Sequence, residues 1–495
     1  MKFKPPYGRQ RVEQIVEADM PGQTLKEASK DDRTESRSLP ATHQRPRAER
    51  RALGKKLREQ CPRDLHGVWK PAADRPDPVH LVEVSDKRRL PQLLALRHGR
   101  MALSPFTYYR GAALNMAHDL AALPATGVRV QCSGDAHLVN FGGFATAERN
   151  IIFSINDLDE TLPGPWEWDL KRLAASVIIA SRDNGLSNGA AEDAALACVR
   201  SYREHMNEYS EMNSLDLWYH AIETEALIAS LPDPAMRRRT VRAIEKARES
   251  SLAEDLFPKL AAGTGQEAAI REQPPTLFHP PELPPGKIDA LANEAMATYR
   301  ESLTPAHRML LGRFDILDAA IKVVGVGSVG TICWVVLLME GTGTPLFLQV
   351  KEARASVLEA YAGRSVYGNH GQRVVNGHWL MQPASDIFLG WTAGPGGHHF
   401  YVRQLRDVKV KPAVENFGKV EMAIFAGWCG QSLALSHARS GDPAVISGYL
   451  GKSDAFDKTI AAFSAAYADQ NEADHAALVR AIRGGRLEAT VEEAE

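Results

Sequence analysis

From Asp169 to Ile270 the chain is dominated by Ala, Leu, Arg and Glu at helical spacing, and it then meets the proline-rich segment QPPTLFHPPELPPGK at 273–287. Beyond one further helix at about 288–303, residues 315–407 turn rich in Val, Ile, Leu, Phe and Gly, the composition of an antiparallel sheet. Helical patterning returns from Glu415. Helix and strand are thus segregated along the chain, which predicts an α+β fold with the proline-rich segment as the boundary between halves.

The 495 residues, 44 % hydrophobic and 24 % charged, suffice for two or more lobes with their own cores. Lys and Arg number 59 against 61 Asp and Glu, a formal net charge of −2, so no overall attraction to nucleic acid or membrane is expected. The basic run RPRAERRALGKKLREQCPR at 45–63 has no interleaved aromatics and reads as a solvated helix face. Cys61, Cys132, Cys198, Cys333 and Cys429 are too scattered for a disulfide framework or a zinc site, which points to a reducing compartment. Residues 1–23 hold no apolar signal core, and the longest apolar run, Ile332–Met339, is too short to span a bilayer, so a cytoplasmic location is expected. Residues 1–44 are polar with little periodicity and predict a disordered or loosely held arm.

Two constellations carry chemistry. In the first, an apolar strand ending near Cys132 leads into GDAHLVNFG, with Asp135, His137 and Asn140 in one short loop. A carboxylate followed five residues later by an amide has the spacing of a kinase catalytic loop, where the acid takes the acceptor proton and the amide holds Mg²⁺. Asp135 is the candidate base and Asn140 a candidate metal ligand. A second strand, Ile151–Ile155, runs into NDLDE, so Asp157 and then Asp159 are candidates for the cation that bridges phosphates. Asp and Asn also favour turns on their own account. Asp169, at the start of an apolar helix, reads as an N-cap, and His137 as a residue that holds the loop by bonding to backbone.

In the second, KVVGVGSVGTICWVVLLMEG carries Gly325, Gly327 and Gly330. A dinucleotide fold needs a helix after such glycines and a P-loop needs a Lys-Ser/Thr pair, but a β-branched run follows here. Strand, glycine turn, strand is instead the pattern of a flap over nucleotide phosphates. The next strand, Leu346–Val350, delivers Lys351, the candidate phosphate lysine. Glu359, in the helical stretch ARASVLEAY, is its candidate partner, with Glu352 as the alternative. A hairpin through ASDIFLGW and GPGG then leads to Arg403–Leu405, whose backbone is a candidate hinge for adenine.

GDAHLVNFG, NDLDE and PWEWDL, in that order, resemble the aminoglycoside and choline phosphotransferases of the protein kinase-like superfamily, with a longer Asn140-to-Asp157 interval and Leu158 in place of their aromatic. SPFTYYRGAA, GDAHLVNFG, LPGPWEWDLKRLAAS and ASDIFLGWT together look like the bacterial family catalogued as domain of unknown function 2252, over about residues 45–480. The resemblance implies a kinase-like two-lobed fold using ATP and Mg²⁺. Because the glycine flap and lysine follow the catalytic loop here, it also implies a circular permutation. The expected division is an arm at 1–44, a catalytic-loop part at 45–287, a β-rich lobe at 288–410 and C-terminal helices at 411–495. The expected activity is phosphate transfer from nucleotide to a hydroxyl-type acceptor. The alternatives are a nucleotide-binding module without transfer, AMP transfer on the same fold, and a metallophosphoesterase suggested by Gly134–His137 and Gly368–His370.

Overall fold

The computed structural model describes residues 41–249, 253–281, 285–405 and 408–490. The arm expected at 1–44 lies outside them apart from 41–44. The fold is α+β, and no described helix is long and apolar enough to cross a membrane.

Helix α1 (Arg47–Gln60) is followed by α2 (Pro78–Asp86), α3 (Leu94–Ala102), α4 (Pro105–Gly111) and α5 (Ala113–Ala121). Residues 105–121 form two helices and not one continuous one. A capping box of Ser104 and Thr107 starts α4, and Ala112, at φ −111° and ψ 38°, breaks the run. Strands β1 (Arg129–Cys132), β2 (Phe141–Ala145), β3 (Ile151–Ile155) and β4 (Leu162–Pro165) then form two small antiparallel units, β1 with β4 and β2 with β3.

Helix α6 (Trp166–Asp183) is the axis of the larger lobe. It is buried from Trp166 to Ser181, because the sequence is apolar all round and each charged residue has a partner within the core. Glu167 accepts from Thr126 Oγ1 at 2.6 Å, for example, and Lys171 lies 4.6 Å over the Phe463 ring. Around it pack α7 (Asn188–Tyr209) and, from the far end of the chain, three helices described below.

The smaller lobe is one antiparallel sheet. Its strands are β5 (Leu277–Phe278), β6 (Phe314–Lys322), β7 (Cys333–Glu340), β8 (Pro345–Ala353), β9 (Gly390–Ala393) and β10 (His399–Gln404), in spatial order β9-β10-β8-β7-β6-β5. Alternation along the strands gives two apolar faces. Ala319, Val336, Leu348 and Val402 face helix α8 (Pro285–Ser302). Val335, Leu337 and Phe347 face Leu260, Ala261 and Ile270, from the helix Ala253–Leu260 and the small hairpin after it. A helix the sequence reading did not anticipate, α9 (His370–Met381), interrupts the strand-rich region, whereas ARASVLEAY holds only the single turn Glu359–Ala362. Strand β11 (Lys409–Val410) pairs with β2 and returns the chain to the larger lobe. There α10 (Lys419–Ser440) lies so close to α7 that a Cβ on Gly430 would collide with the carbonyl of Cys198. Helices α11 (Pro443–Leu450) and α12 (Ala455–Arg483) complete the body. All five cysteines are buried and free.

The N-terminal helices clasp both lobes. Leu90 and Leu93 pack with Val323 and Val329 of the small lobe, while Met101 and Tyr108 pack with Leu478 and Leu487 beyond them. Thr490 N–H donates to Ala95 O at 2.9 Å, and Arg75 joins Asp119 at 2.7 Å to Asp474 at 2.6 Å.

Candidate active site

Strand β1 ends in a turn that only glycine can make: Gly134 has φ +80°, and a Cβ there would strike the carbonyl of Glu160. Asp169 holds this turn from α6, accepting the N–H of Ser133 at 2.5 Å and of Gly134 at 3.0 Å, with His437 Nε2 at 3.3 Å. The N-cap role read from the sequence is therefore replaced. Pro165 occupies the N-cap, and the Asp169 carboxylate fixes the loop across the core. Leu138 N–H donates to Ser176 Oγ at 3.1 Å, and Asn140 Nδ2 to the carbonyl of Asp135 at 2.8 Å, which closes the loop on itself.

Asp135 Oδ1 accepts a hydrogen bond from Arg172 Nε of α6 at 2.7 Å and is ion-paired with Arg172 Nη2 at 2.5 Å. Arg172 is fixed in turn, 4.3 Å over the Tyr109 ring and donating to the Tyr109 carbonyl at 3.0 Å. Burial pushes the Asp135 carboxyl up to about 7, against the opposing pull of Arg172. His137 differs from its expected role. Its Nε2 lies 3.8 Å from Asp135 Oδ2, and its buried Nδ1 has no partner among the described residues. Burial first, then Arg110 and Arg172, hold its pKa well below the usual value, so the ring is neutral.

Strand β3 delivers Asp157 and Asp159 opposite Lys351 of β8. Lys351 is 3 % exposed and forms a close ion pair with Asp159, with Asp157 at 3.9 Å. Tyr401, its cross-strand neighbour on β10, donates to Asp159 Oδ1 at 2.7 Å. Burial disfavours charge on Lys351 and Asp157 alike, but their mutual attraction outweighs it. The ammonium is held well above its ordinary pKa and the Asp157 carboxyl well below its own. One expectation is corrected here. Glu359 turns away, 3.8 Å from His370 Nδ1, and Glu352 bonds Arg354 at 2.6 Å and His398 at 3.0 Å, so neither acid partners Lys351. Asp159, the other candidate cation ligand, is engaged by Lys351 and Tyr401.

Residues 323–332 join β6 to β7 as a glycine-containing loop between strands. Gly325 and Gly330 take φ +65° and +85°, and a Cβ on Gly327 would lie 2.8 Å from the Arg110 carbonyl. The loop is bolted down: Arg100 donates to Gly325 O at 2.6 Å, Arg89 to Val329 O at 2.6 Å, and Leu90 N–H to Gly330 O at 2.8 Å.

These parts enclose a cavity of about 420 Å³. Asp135, Asn140, Asp157, Asp159, Gly325 and Gly327 line it, while Gly330, Lys351 and Glu359 stand outside its wall. Lys87, Arg88 and Arg89, from the turn after α2, line it together with Arg110 and Arg354, beside the acids Asp135, Asp157, Asp159, Glu160 and Glu352. Among the described residues no three His, Cys, Asp or Glu side chains form a metal cage. Asn369, in the second phosphoesterase-like fragment, caps α9. In the candidate hinge Gln404 N–H donates to Asp386, Leu405 N–H to Phe347 O at 2.8 Å, and the Arg403 side chain to Gln349 at 2.9 Å.

Sequence reasoning missed Arg172, Tyr109, Arg110 and Tyr401. The signal for Arg172 was present, since a charged residue next to the apolar run Leu173–Ala180 of a helix requires a partner once that helix is buried. No curated protein and no solved structure matches the chain. A family model matches residues 89–481, which take in the catalytic-type loop, the glycine loop and Lys351. The chain therefore belongs to the family described as "Uncharacterized protein conserved in bacteria (DUF2252)".

Proposed function

We propose that this chain is an ATP- and Mg²⁺-dependent phosphotransferase of protein kinase type, with its lobes in permuted order, acting on a hydroxyl-type acceptor. One observation carries the reading: loop 135–140, Asp157 and the glycine loop, far apart in sequence, line a single cavity. The small lobe supports it, because the glycine loop joins β6 to β7, Lys351 stands on the strand after them, and α9 follows.

The donors suit a hard cation. Asn140 commits its nitrogen to the loop and leaves its side-chain oxygen, and Asp157 adds a carboxylate, enough for Mg²⁺ alongside water and phosphate oxygens. Bound there, the cation supplies charge neutralisation of the phosphates. The chain's own groups do the rest. Arg172 fixes Asp135 through Oδ1 and leaves Oδ2 to orient the acceptor hydroxyl and accept its proton. Lys351 keeps Asp157 ionised, and the cations of the cavity attract the anionic donor.

AMP transfer is the second reading. It is favoured by the engaged hinge and by the packing of Leu260 and Ile270 against the sheet face beside Phe347 and Leu405. A base excluded from that face presents a different phosphorus to the acceptor. Melting temperature measured with ATP, GTP and ADP, with and without Mg²⁺, tests both readings. A Mg²⁺-dependent rise lost in Asp157→Ala is expected, and no rise with any nucleotide overturns them. Product mass separates phosphate from AMP transfer.

A further inference from the structure

We propose that the small lobe carries a second binding site, between α8 and the sheet, for an uncharged and mainly hydrocarbon ligand somewhat larger than benzene. A cavity of about 180 Å³ separates the helix from the strands there. The helix contributes Leu291, Met296 and Tyr299 to its wall, and the sheet contributes Ile316, Trp334 and Val350.

The face of the sheet toward α8 is packed unevenly: Ala319, Val336, Leu348 and Val402 are buried, but part of it is not. On the face toward Leu260, Val335 and Leu337 are fully buried and Phe347 is 3 % exposed. On the face toward α8, Ile316, Trp334 and Val350 are only half-buried although a helix lies over them. Protein interiors are ordinarily close-packed, so a hole of this size in the middle of a lobe is a feature to be explained. An apolar cavity of about 150 Å³ lined by Leu, Ile and Phe stays free of water and takes up benzene. This cavity is likewise mainly apolar and somewhat larger, but it opens to solvent at one rim.

The polar groups of the wall already have partners within the protein. Tyr299 donates to Phe388 O at 2.5 Å, Thr392 Oγ1 to Ala295 O at 2.8 Å, and His398 Nδ1 lies 3.0 Å from Glu352 Oε1. Among the described residues of its wall none is Asp, Glu, Lys or Arg, which sets it apart from the charge-lined transfer cavity. Exposed Gln92, Pro281 and Pro395 form a rim through which a small molecule can enter.

The test is thermal melting of the full chain with toluene, 1-octanol and benzoate, in the wild type and in two cavity-filling variants, Ala295→Phe and Ala319→Leu. Toluene or octanol is expected to raise the melting temperature saturably, by about 2–3 °C at a hundredfold excess over Kd, while benzoate, of similar size but charged, does not. The rise is expected to vanish in whichever filling variant keeps the wild-type far-UV spectrum. No rise with either neutral probe overturns the proposal. So does an equal rise with benzoate, or one undiminished in a folded filling variant.

Discussion

Replacing Lys351 by Met removes the positive centre of the site while nearly preserving its volume. The ammonium is 3 % exposed, paired closely with Asp159 and 3.9 Å from Asp157. Breaking a buried pair from one side costs about 3–5 kcal/mol, because the other charge remains without a partner. Both carboxylates reach the cavity, so water screens part of the penalty and the lower end, about 3 kcal/mol at pH 7, is the expected loss. The double variant Lys351→Met/Asp159→Asn should recover more than half of it, since no unpartnered charge is left on Asp159. The pH dependence has a definite sign. In the wild type Asp157, with its carboxyl held low by Lys351, contributes stability above its unfolded pKa of about 3.9 and loses it as pH falls below that value. In Lys351→Met the pull of the ammonium is gone while burial still opposes the charge, against the weaker pull of Arg403 and the Asp159 N–H, so the folded pKa of Asp157 rises and its protonation relieves the penalty as pH drops from 7 toward 4. The two trends close the gap between the proteins on acidification. Urea unfolding of the three proteins at pH 7, 5.5 and 4 measures it. A single variant within about 0.5 kcal/mol of wild type at pH 7, or a gap that does not vary with pH, refutes the reasoning.

Asp169→Asn keeps one acceptor but sets an amide N–H against a backbone N–H of Ser133 or Gly134, and should lower stability by about 2–3 kcal/mol in urea unfolding. Gly327→Ala forces the loop off the Arg110 carbonyl, costs about 1–3 kcal/mol and should weaken nucleotide binding measured by calorimetry. Glu359→Gln should leave nucleotide affinity unchanged, because that acid lies beside His370 and not beside Lys351. Turnover, which requires ionised Asp135, should climb as pH rises through about 7, and a pH–rate profile without an acid limb there would contradict Asp135 as the proton acceptor.

What the sequence made legible was local. The strand before Asp135, the strand before Asp157, and the glycine turn between two β-branched runs are each written in a few consecutive residues. The partners of those residues were not legible, because each bond joins distant segments: Asp159 to Lys351 and Tyr401, Asp135 to Arg172, the Gly325 carbonyl to Arg100. Glu359 looked right for Lys351 by proximity along the chain, yet the strand ladder aims the lysine at β3 instead. Asp169 looked like a cap because a short-range rule was enough to explain it, while the N–H groups that donate to it lie on a turn built thirty-odd residues earlier. The helix His370–Met381 escaped notice since its two glycines and two histidines blur the apolar stripe.

The clasp of N-terminal helices has a bearing on how the molecule melts. With separate cores in its two lobes, the chain could come apart in two steps, the sheet first and the helical body later. But α3 and the turn before it bury side chains against Val323 and Val329 on one side, and α2, α3 and α4 bury side chains against Leu478 and Leu487 on the other. Releasing either lobe therefore strips the same short helices of half their apolar contacts. The cooperative unit should be the whole body, with one calorimetric transition, and the amides of the glycine loop should exchange with solvent as slowly as those of α6, opening only when everything opens.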